Sequence, residues 1–167
     1  MLGINGIWKR ILDEKLTDFH SLLFRGPQQD INSVIVMNEV LNKESPQLVV
    51  LNGDLITGEN AYKRNATVKI DQIVGPLVQR GLTWASTYGN HDSQFNLSRP
   101  DMLTREHLHR GARTTQMVFG PEAGVTNYYL PVYGAGKSMF GPPEMILWFF
   151  DSRGGYYYQQ RRLKSLN

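Results

Sequence analysis

Residues 48–54 read LVVLNGD and set the architecture of this chain. A short, continuous apolar run that ends in turn-forming residues is typical of a parallel strand buried on both faces. A second such run, residues 82–88, ends in Gly89. Residues 61–80 carry apolar side chains at helical spacing between the two runs, so together they predict a strand–helix–strand unit with a parallel crossover. The sequence therefore predicts an α/β protein.

The remaining elements follow from local patterns. In residues 61–80, Pro76 is expected to kink or split the helix. Asp30 is placed to cap another helix that reaches Asn42. The inward-facing stripe of the helix in residues 61–80 is predicted to consist of Val68, Ile70, Ile73, Leu77 and Val78. Further helices are predicted over residues 4–16 and 101–110, and further strands over residues 127–133 and 145–150.

Composition narrows the class of protein. The chain has 167 residues, 41% of them hydrophobic, and contains no cysteine. This length suits one domain, and the lack of cysteine excludes a disulfide scaffold, a cysteine-based zinc site and a thiol nucleophile. No apolar run reaches the roughly 18 residues that a membrane-spanning helix needs, and the first residues lack the pattern of a secretory signal. We expect neither a membrane span nor a signal peptide in this sequence, and it indicates no compartment.

Charge is unevenly distributed. Residues 1–60 carry five basic and eight acidic residues, whereas residues 61–167 carry thirteen basic and seven acidic residues. A basic half attracts phosphate-bearing ligands through its summed field, so a phosphate-ligand-binding module is one interpretation and a scattered, solvated surface is the other. Nucleic-acid binding is not favoured, because basic and aromatic residues are interleaved only near residues 156–162.

Polar residues suited to metal binding follow both predicted strands. Asp54 comes after Gly53, and Asn90, His91 and Asp92 come after the second strand. Ligands of open parallel sheets bind outside the carboxyl ends of the strands. Carboxylate and amide oxygens are hard ligands, and imidazole extends the choice to iron, zinc or manganese. The alternative is that both segments are only turns, which Asn-Gly and Gly-Asp pairs also form.

His91 has a second candidate role. Beside Asp92, its imidazole is expected to be held protonated and to donate to a departing alkoxide as a general acid. A carboxylate such as that of Asp54 is able to bridge two cations about 3.5–4 Å apart, an arrangement that activates water for in-line attack on phosphorus. The pattern therefore indicates phosphoryl chemistry.

These residues resemble a known family. Gly53-Asp54 and residues 89–92, GNHD, are similar to the second and third signatures of the calcineurin-like metallophosphoesterases. Their wider context, residues 26–30, 51–59, 85–92 and 148–155, resembles the fungal branch of that family, which includes the Dcr2-type phosphatases and is related to the purple acid phosphatases.

The resemblance implies an α-β-β-α sandwich with a dinuclear metal centre of Fe, Zn or Mn and a phosphorylated substrate. By position, Asp54 would bridge both metals and Asn90 would bind the second metal. Asn90 and His91 would contact the phosphate. His91 would protonate the leaving group, and Asp92 would orient His91.

Other parts of the family pattern are altered or missing. Asp18 and His20 have the spacing of the first signature, which implies that they bind the first metal, but a charged helical segment precedes them where the family has an apolar strand. The later histidine signatures are missing, because His107 and His109 fall on a predicted helix, where residues two apart do not share a face. Asp151, after a predicted strand, either lines the site or serves in a turn.

We therefore expect the first half of the sandwich, with incomplete metal binding. The division is an atypical N-terminal segment (1–25), a phosphoesterase domain (26–155) and a basic tail (156–167). The leading hypothesis is a metal-dependent phosphatase that hydrolyses phosphomonoesters and that is inactive where its late ligands are lacking; the alternatives are a non-catalytic remnant and the basic phosphate-binding module. Half a sandwich exposes apolar sheet surface, so self-association is expected.

Overall fold

The computed structural model of this chain describes residues 26–56, 66–92, 98–137 and 140–153. The helix predicted over residues 4–16 lies outside these ranges, as do the segments 1–25 and 156–167. The elements, in chain order, are α1 (Gly26–Glu44), β1 (Leu48–Asn52), α2 (Ala66–Gln79), β2 (Thr83–Thr87), α3 (Arg99–Glu106), β3 (Tyr128–Val132) and β4 (Met145–Phe149). The predicted α/β class is confirmed.

β1 and β2 are parallel neighbours connected through α2. Leu48 pairs with Thr83 and Asn52 pairs with Thr87, so the two strands end in register. The residues that follow the strands therefore meet at one edge of the sheet, as the sequence predicts. On this sheet, Trp84 also forms a parallel bridge with Ala112, which adds a short stretch of chain beside β2.

β3 and β4 form a separate antiparallel pair that packs on the first sheet. Tyr128 pairs with Phe149, and their rings stack with centroids 4.5 Å apart. The hydroxyl of Tyr128 donates a hydrogen bond of 2.8 Å to the carbonyl of Ser86 in β2. The core between the sheets consists of Ala85, Tyr128 and Phe149, with Leu48, Val50, Leu130 and Leu147 packed against them.

Alternate residues of a strand point to opposite faces of a sheet. The strand residues on the second face of the parallel sheet pack against α1 and α2. The core on this side consists of Leu41, Val49, Leu51, Val74, Leu77 and Trp84. The described residues thus form a helical layer, a parallel sheet and an antiparallel sheet, which is consistent with a partial sandwich of the kind that the resemblance implies. No helix within the described ranges is long and apolar enough to cross a membrane.

Two helices differ from the sequence-based expectation. α1 begins at Gly26, so Asp30 lies inside the helix and forms an ion pair with Lys69 of α2 at 2.7 Å. The predicted cap was wrong because Pro27 suits a first helical turn, where its missing N–H group has no partner to lose. The helix predicted over residues 101–110 runs instead from Arg99 to Glu106.

The predicted apolar stripe of α2 was wrong at two of its five residues. Ile70, Val74 and Leu77 are buried at spacings of four and three residues, whereas Val68 and Val78 are 47% and 46% exposed. Residues three or four apart lie on one face of a helix, so Ile70, Val74 and Leu77 share the buried face. Val68 precedes Ile70 by two residues and therefore lies on the opposite face. The helix continues through Pro76, so the proline does not split it.

The contact between α2 and α3 includes an ion pair that is sensitive to pH, beside the buried apolar side chains of both helices. Arg105 Nε donates to Asp71 Oδ1 at 2.8 Å, and this hydrogen bond holds the pKa of Asp71 below its ordinary value of 3.8. A lowered carboxyl pKa stabilises the fold while the group is ionised, so the stabilisation is present above the ordinary pKa and is lost as pH falls through the lowered one. We expect Asp71→Asn to lower the free energy of unfolding at neutral pH, with a deficit that shrinks in strong acid.

Urea denaturation over a series of pH values measures this deficit. Asp30→Asn is the matched control, because it removes a more exposed ion pair and such pairs contribute little. A deficit of Asp71→Asn that is constant from neutral pH to strong acid would contradict the prediction.

The outer face of the antiparallel pair is apolar and exposed. Tyr129, Ile146 and Trp148 are 42%, 40% and 60% exposed, and Phe150, just beyond β4, is 72% exposed. The rings of Tyr129 and Trp148 lie 5.3 Å apart, so these side chains form a contiguous aromatic patch. Contiguous patches of this kind mark association surfaces.

We expect the chain to self-associate through this patch. Light scattering over a concentration series should give a mass that rises with concentration, and Trp148→Lys should reduce it. Val78→Lys, at an exposed apolar position on α2, is the control and should have no effect. A monomeric mass at all concentrations would refute the expectation.

Candidate functional site

The residues that follow β1 and β2 meet through their main chains. Gly53 and Asp54 both have left-handed backbone, with φ of 71° and 49°. A Cβ atom at Gly53 would lie 2.8 Å from the backbone N of Gly89, and one at Gly89 would lie 2.6 Å from the backbone N of Asp54. Both positions therefore require glycine, since side-chain atoms have no room at this contact.

The contact brings Asp54, Asn90 and His91 to one edge of the parallel sheet, which we call the rim. Asp54 Oδ1 accepts a hydrogen bond of 3.0 Å from the backbone N–H of His91. The Asp54 side chain is exposed, whereas Asn90 and His91 are half-buried. Left-handed backbone is uncommon for a residue other than glycine, although aspartate tolerates it, and such residues occur often at functional sites. The structure thus places Asp54, Asn90 and His91 on the same edge of the sheet.

Asp92 lies beneath this rim and is fully buried. Its Oδ1 accepts hydrogen bonds from the backbone N–H groups of Leu55 (2.6 Å) and Ile56 (2.9 Å), and its Oδ2 accepts one from Gly89 (2.7 Å). Burial raises the pKa of Asp92, and the three N–H donors oppose that rise. Through these contacts Asp92 connects the loop that follows β1 to the loop that follows β2. That Asp92 also orients the His91 ring stays a prediction.

A second buried carboxylate supports the end of β2. Glu106, the last residue of α3, accepts hydrogen bonds from Trp84 Nε1 (3.0 Å), Ser86 Oγ (3.0 Å), Tyr88 Oη (2.8 Å) and Thr114 Oγ1 (2.8 Å). Burial, aided by the charge of Glu106, raises the pKa of Tyr88 well above its usual range. Sequence reasoning missed this cluster. Its signal was the spacing of Glu106 four residues after the buried Met102, which places both on the inner face of α3.

Arg99 connects the two sheets at the level of the rim. Its Nη2 donates to the carbonyl of Gly89 at 2.7 Å, and its Nη1 donates to the carbonyl of Arg153 at 3.2 Å. Its Nε lies 3.4 Å from Oδ1 of the buried Asp151. Asp151 in turn accepts hydrogen bonds from the N–H groups of Val125 and Arg153, so its contacts match the turn role among the two alternatives.

The donor set fits a divalent cation in kind but not in number. Asp54, Asn90 and His91 offer a carboxylate, an amide and an imidazole, which are suitable ligands. Two metal ions need about four or more ligands each, and the described ranges contain no group of three His, Cys, Asp or Glu residues able to hold one. The candidate ligands Asp18 and His20 lie outside the described residues.

The two later histidines of the described chain contact other groups. His107 Nε2 lies 2.8 Å from the carbonyl of Thr114, and His109 Nε2 lies 3.3 Å from Asp71 Oδ1. Both follow the end of α3 rather than continuing the helix. His107 thus contacts the chain just beyond Ala112, beside β2, and His109 contacts α2.

Comparison with known families gives a match over most of the chain. The family model described as "Calcineurin-like phosphoesterase" matches residues 16–164. This range contains all the candidate ligands named above, including Asp18 and His20. No solved structure matches the chain at a significant level.

Curated relatives are similar over parts of their length. "Probable inactive purple acid phosphatase 29" of Arabidopsis thaliana is 29% identical over 132 residues, which cover 76% of this chain and 33% of the relative. An uncharacterized protein of Schizosaccharomyces pombe is 36% identical over 75% of this chain and 22% of its own length. "Phosphatase DCR2" of Saccharomyces cerevisiae is 40% identical over 38% of this chain and 11% of its own length. The chain therefore spans a third or less of each of these relatives.

The contacts of Asp92 and Asp54 predict that the same substitution will destabilise the fold at Asp92 but not at Asp54. Asp92→Asn replaces an acceptor oxygen with an amino group and leaves at least one buried N–H donor unpaired, which should lower the free energy of unfolding by about 1–3 kcal/mol. Asp54→Asn keeps an oxygen for the single hydrogen bond from His91 and lies at the surface, so it should unfold near the wild-type denaturant concentration. Urea denaturation measures both, and equal losses would contradict this assignment.

Proposed function

This chain belongs to the calcineurin-like phosphoesterase family, and on that premise we propose that its rim of Asp54, Asn90 and His91 is a metal-dependent site for the hydrolysis of phosphomonoesters. The observation that carries the proposal is the hydrogen bond from the His91 N–H to Asp54 Oδ1, which holds groups from two strand ends together. The chain spans a third or less of the length of these relatives, so the phosphatase activity of a whole relative is proposed for this chain and does not follow from the similarity alone.

Asp54 and Asn90 are the proposed cation ligands at the rim. Calcineurin-like phosphoesterases generally use divalent metal ions, which when bound supply a Lewis acid and an activated water. Asp54 offers an exposed carboxylate in a backbone conformation fixed by Gly53 and Gly89, and Asn90 offers an amide oxygen beside it. A dinuclear site of Fe, Zn or Mn needs further ligands, for which Asp18 and His20 are the candidates in the sequence.

His91 is the proposed proton donor. Its backbone N–H donates to Asp54, which holds at the rim the main chain from which the ring extends. In the proposed reaction the imidazolium gives its proton to the departing alkoxide, so that the leaving group departs as a neutral alcohol. His91 and Asn90 would also contact the phosphate oxygens. Asp92 would act on His91 indirectly, because it fixes the loop that carries it.

A non-catalytic role is the second candidate. Two observations favour it: the described ranges hold no complete metal-binding group, and several relatives bear names that call them inactive purple acid phosphatases. In that case the rim would keep its geometry without turnover. The two candidates differ in one measurable property, which is hydrolysis that depends on added metal.

We expect the purified chain to bind Mn²⁺ and to hydrolyse a chromogenic phosphomonoester only in its presence. Asp54→Asn and Asn90→Ala should each reduce Mn²⁺ binding and bring turnover to the level of the buffer, because the first removes the negative charge of the carboxylate and the second removes the amide oxygen. Isothermal titration and initial-rate measurements at several Mn²⁺ concentrations test this. Asp30→Asn is the control, since its exposed carboxylate pairs with Lys69 on α2.

Two results would overturn the proposal. Folded chain that binds no Mn²⁺ and shows no turnover would establish the non-catalytic alternative for this sequence. Phosphate binding that is independent of metal and falls steeply with salt would instead indicate the basic phosphate-binding module.

A further inference from the structure

We infer that Arg99 is a positioning residue for the rim, and this inference rests on the function proposed above. Arg99 does not belong to the candidate ligands, and nothing in its local sequence marks it. Its importance comes from the group that it contacts, the carbonyl of Gly89, which lies one peptide bond before Asn90.

Glycine has the widest backbone freedom of any residue type. At Gly89, however, both the N–H group and the carbonyl group are held by side chains, those of Asp92 and Arg99. Its N–H donates to Asp92 Oδ2 at 2.7 Å, and its carbonyl accepts from Arg99 Nη2 at 2.7 Å. The first contact fixes the peptide plane before Gly89, and the second fixes the plane that leads into Asn90. Arg99 therefore sets the direction in which the chain enters Asn90 and His91.

Arg99 is itself fixed by the end of β4. Its side chain is only 14% exposed, and the Asp151 side chain beside its Nε is fully buried. Asp151 is held by the N–H groups of Val125 and Arg153. Hydrogen bonds from a charged donor are stronger than neutral ones, and the planar guanidinium reaches several acceptors at once. The rim is thus anchored to the antiparallel sheet through one side chain.

Arg105 provides a matched control on the same helix. It also forms an ion pair with an aspartate, but this partner, Asp71, lies on α2 and not at the rim. Loss of either arginine removes one ion pair of α3. Only the loss of Arg99 removes a hydrogen bond to the loop that carries Asn90.

The test uses Arg99→Met, Arg99→Lys and Arg105→Met in the full chain. Hydrogen–deuterium exchange of the peptide that covers residues 86–92 reports the loop without any metal, and titration with Mn²⁺ reports the proposed ligands. We expect Arg99→Met to speed exchange in this peptide more than in α2 and to weaken Mn²⁺ binding about 10- to 100-fold, as loss of supporting contacts around metal ligands does. Arg99→Lys should have an intermediate effect on exchange and on Mn²⁺ affinity, because one ammonium group does not reproduce both hydrogen bonds of the guanidinium together with its contact with Asp151. Arg105→Met should leave Mn²⁺ affinity unchanged.

Exchange and Mn²⁺ affinity in Arg99→Met that equal those of Arg105→Met would overturn the inference. If the wild-type chain binds no Mn²⁺, the proposed function fails, and the exchange measurement still decides the role of Arg99: local acceleration in residues 86–92 supports it and its absence refutes it. If Arg99→Met does not fold, Arg99→Lys gives the same comparison with the charge retained.

Discussion

Three backbone N–H groups from two separate loops converge on the buried carboxylate of Asp92. Buried N–H groups must find acceptors, and loops at the end of a sheet have no strand neighbour to supply them. A single carboxylate meets this need for the loop after β1 and the loop after β2 together. The register of the parallel strands brings the loops side by side, and Asp92 holds them there.

Two further buried carboxylates accept hydrogen bonds near the ends of β2 and β4. Glu106 accepts four side-chain hydrogen bonds beneath the end of β2, and Asp151 accepts two backbone N–H groups beyond β4. Each carboxylate is buried and uses its oxygens on the protein itself. Asp54 differs, because it is exposed and stands at the rim. The interior carboxylates therefore preorganise the rim, and Asp54 is the one of these four that is open to a ligand.

The strands and the meeting of the candidate ligands were predictable because their signals are local. Apolar runs bounded by Gly53 and Gly89 gave β1 and β2 within about one residue at each end. The roles of Arg99 and Glu106 were not predictable in this way. Their partners lie 8 to 54 residues away and are partly backbone carbonyls, which every residue possesses.

The errors in the helices have a related origin. A pattern of apolar residues shows that a helix exists but not which part of its surface will be covered. Val68 and Val78 fit a helix and still remain about half exposed. The start of α1 was missed because Asp30 resembles a cap, while its carboxylate in fact pairs with Lys69 on a neighbouring helix. Tertiary contacts outweighed local preference in both cases.

The glycine contact between the two loops has a consequence for how the rim responds to change. Most packing in a protein interior adjusts to a substitution by rotation of side chains into other rotamers. Gly53 and Gly89 touch through main-chain atoms alone, so this contact has no rotamers through which to adjust. The spacing between the ends of β1 and β2 is consequently limited at this point by main-chain contact, and a change in it requires the backbone itself to move.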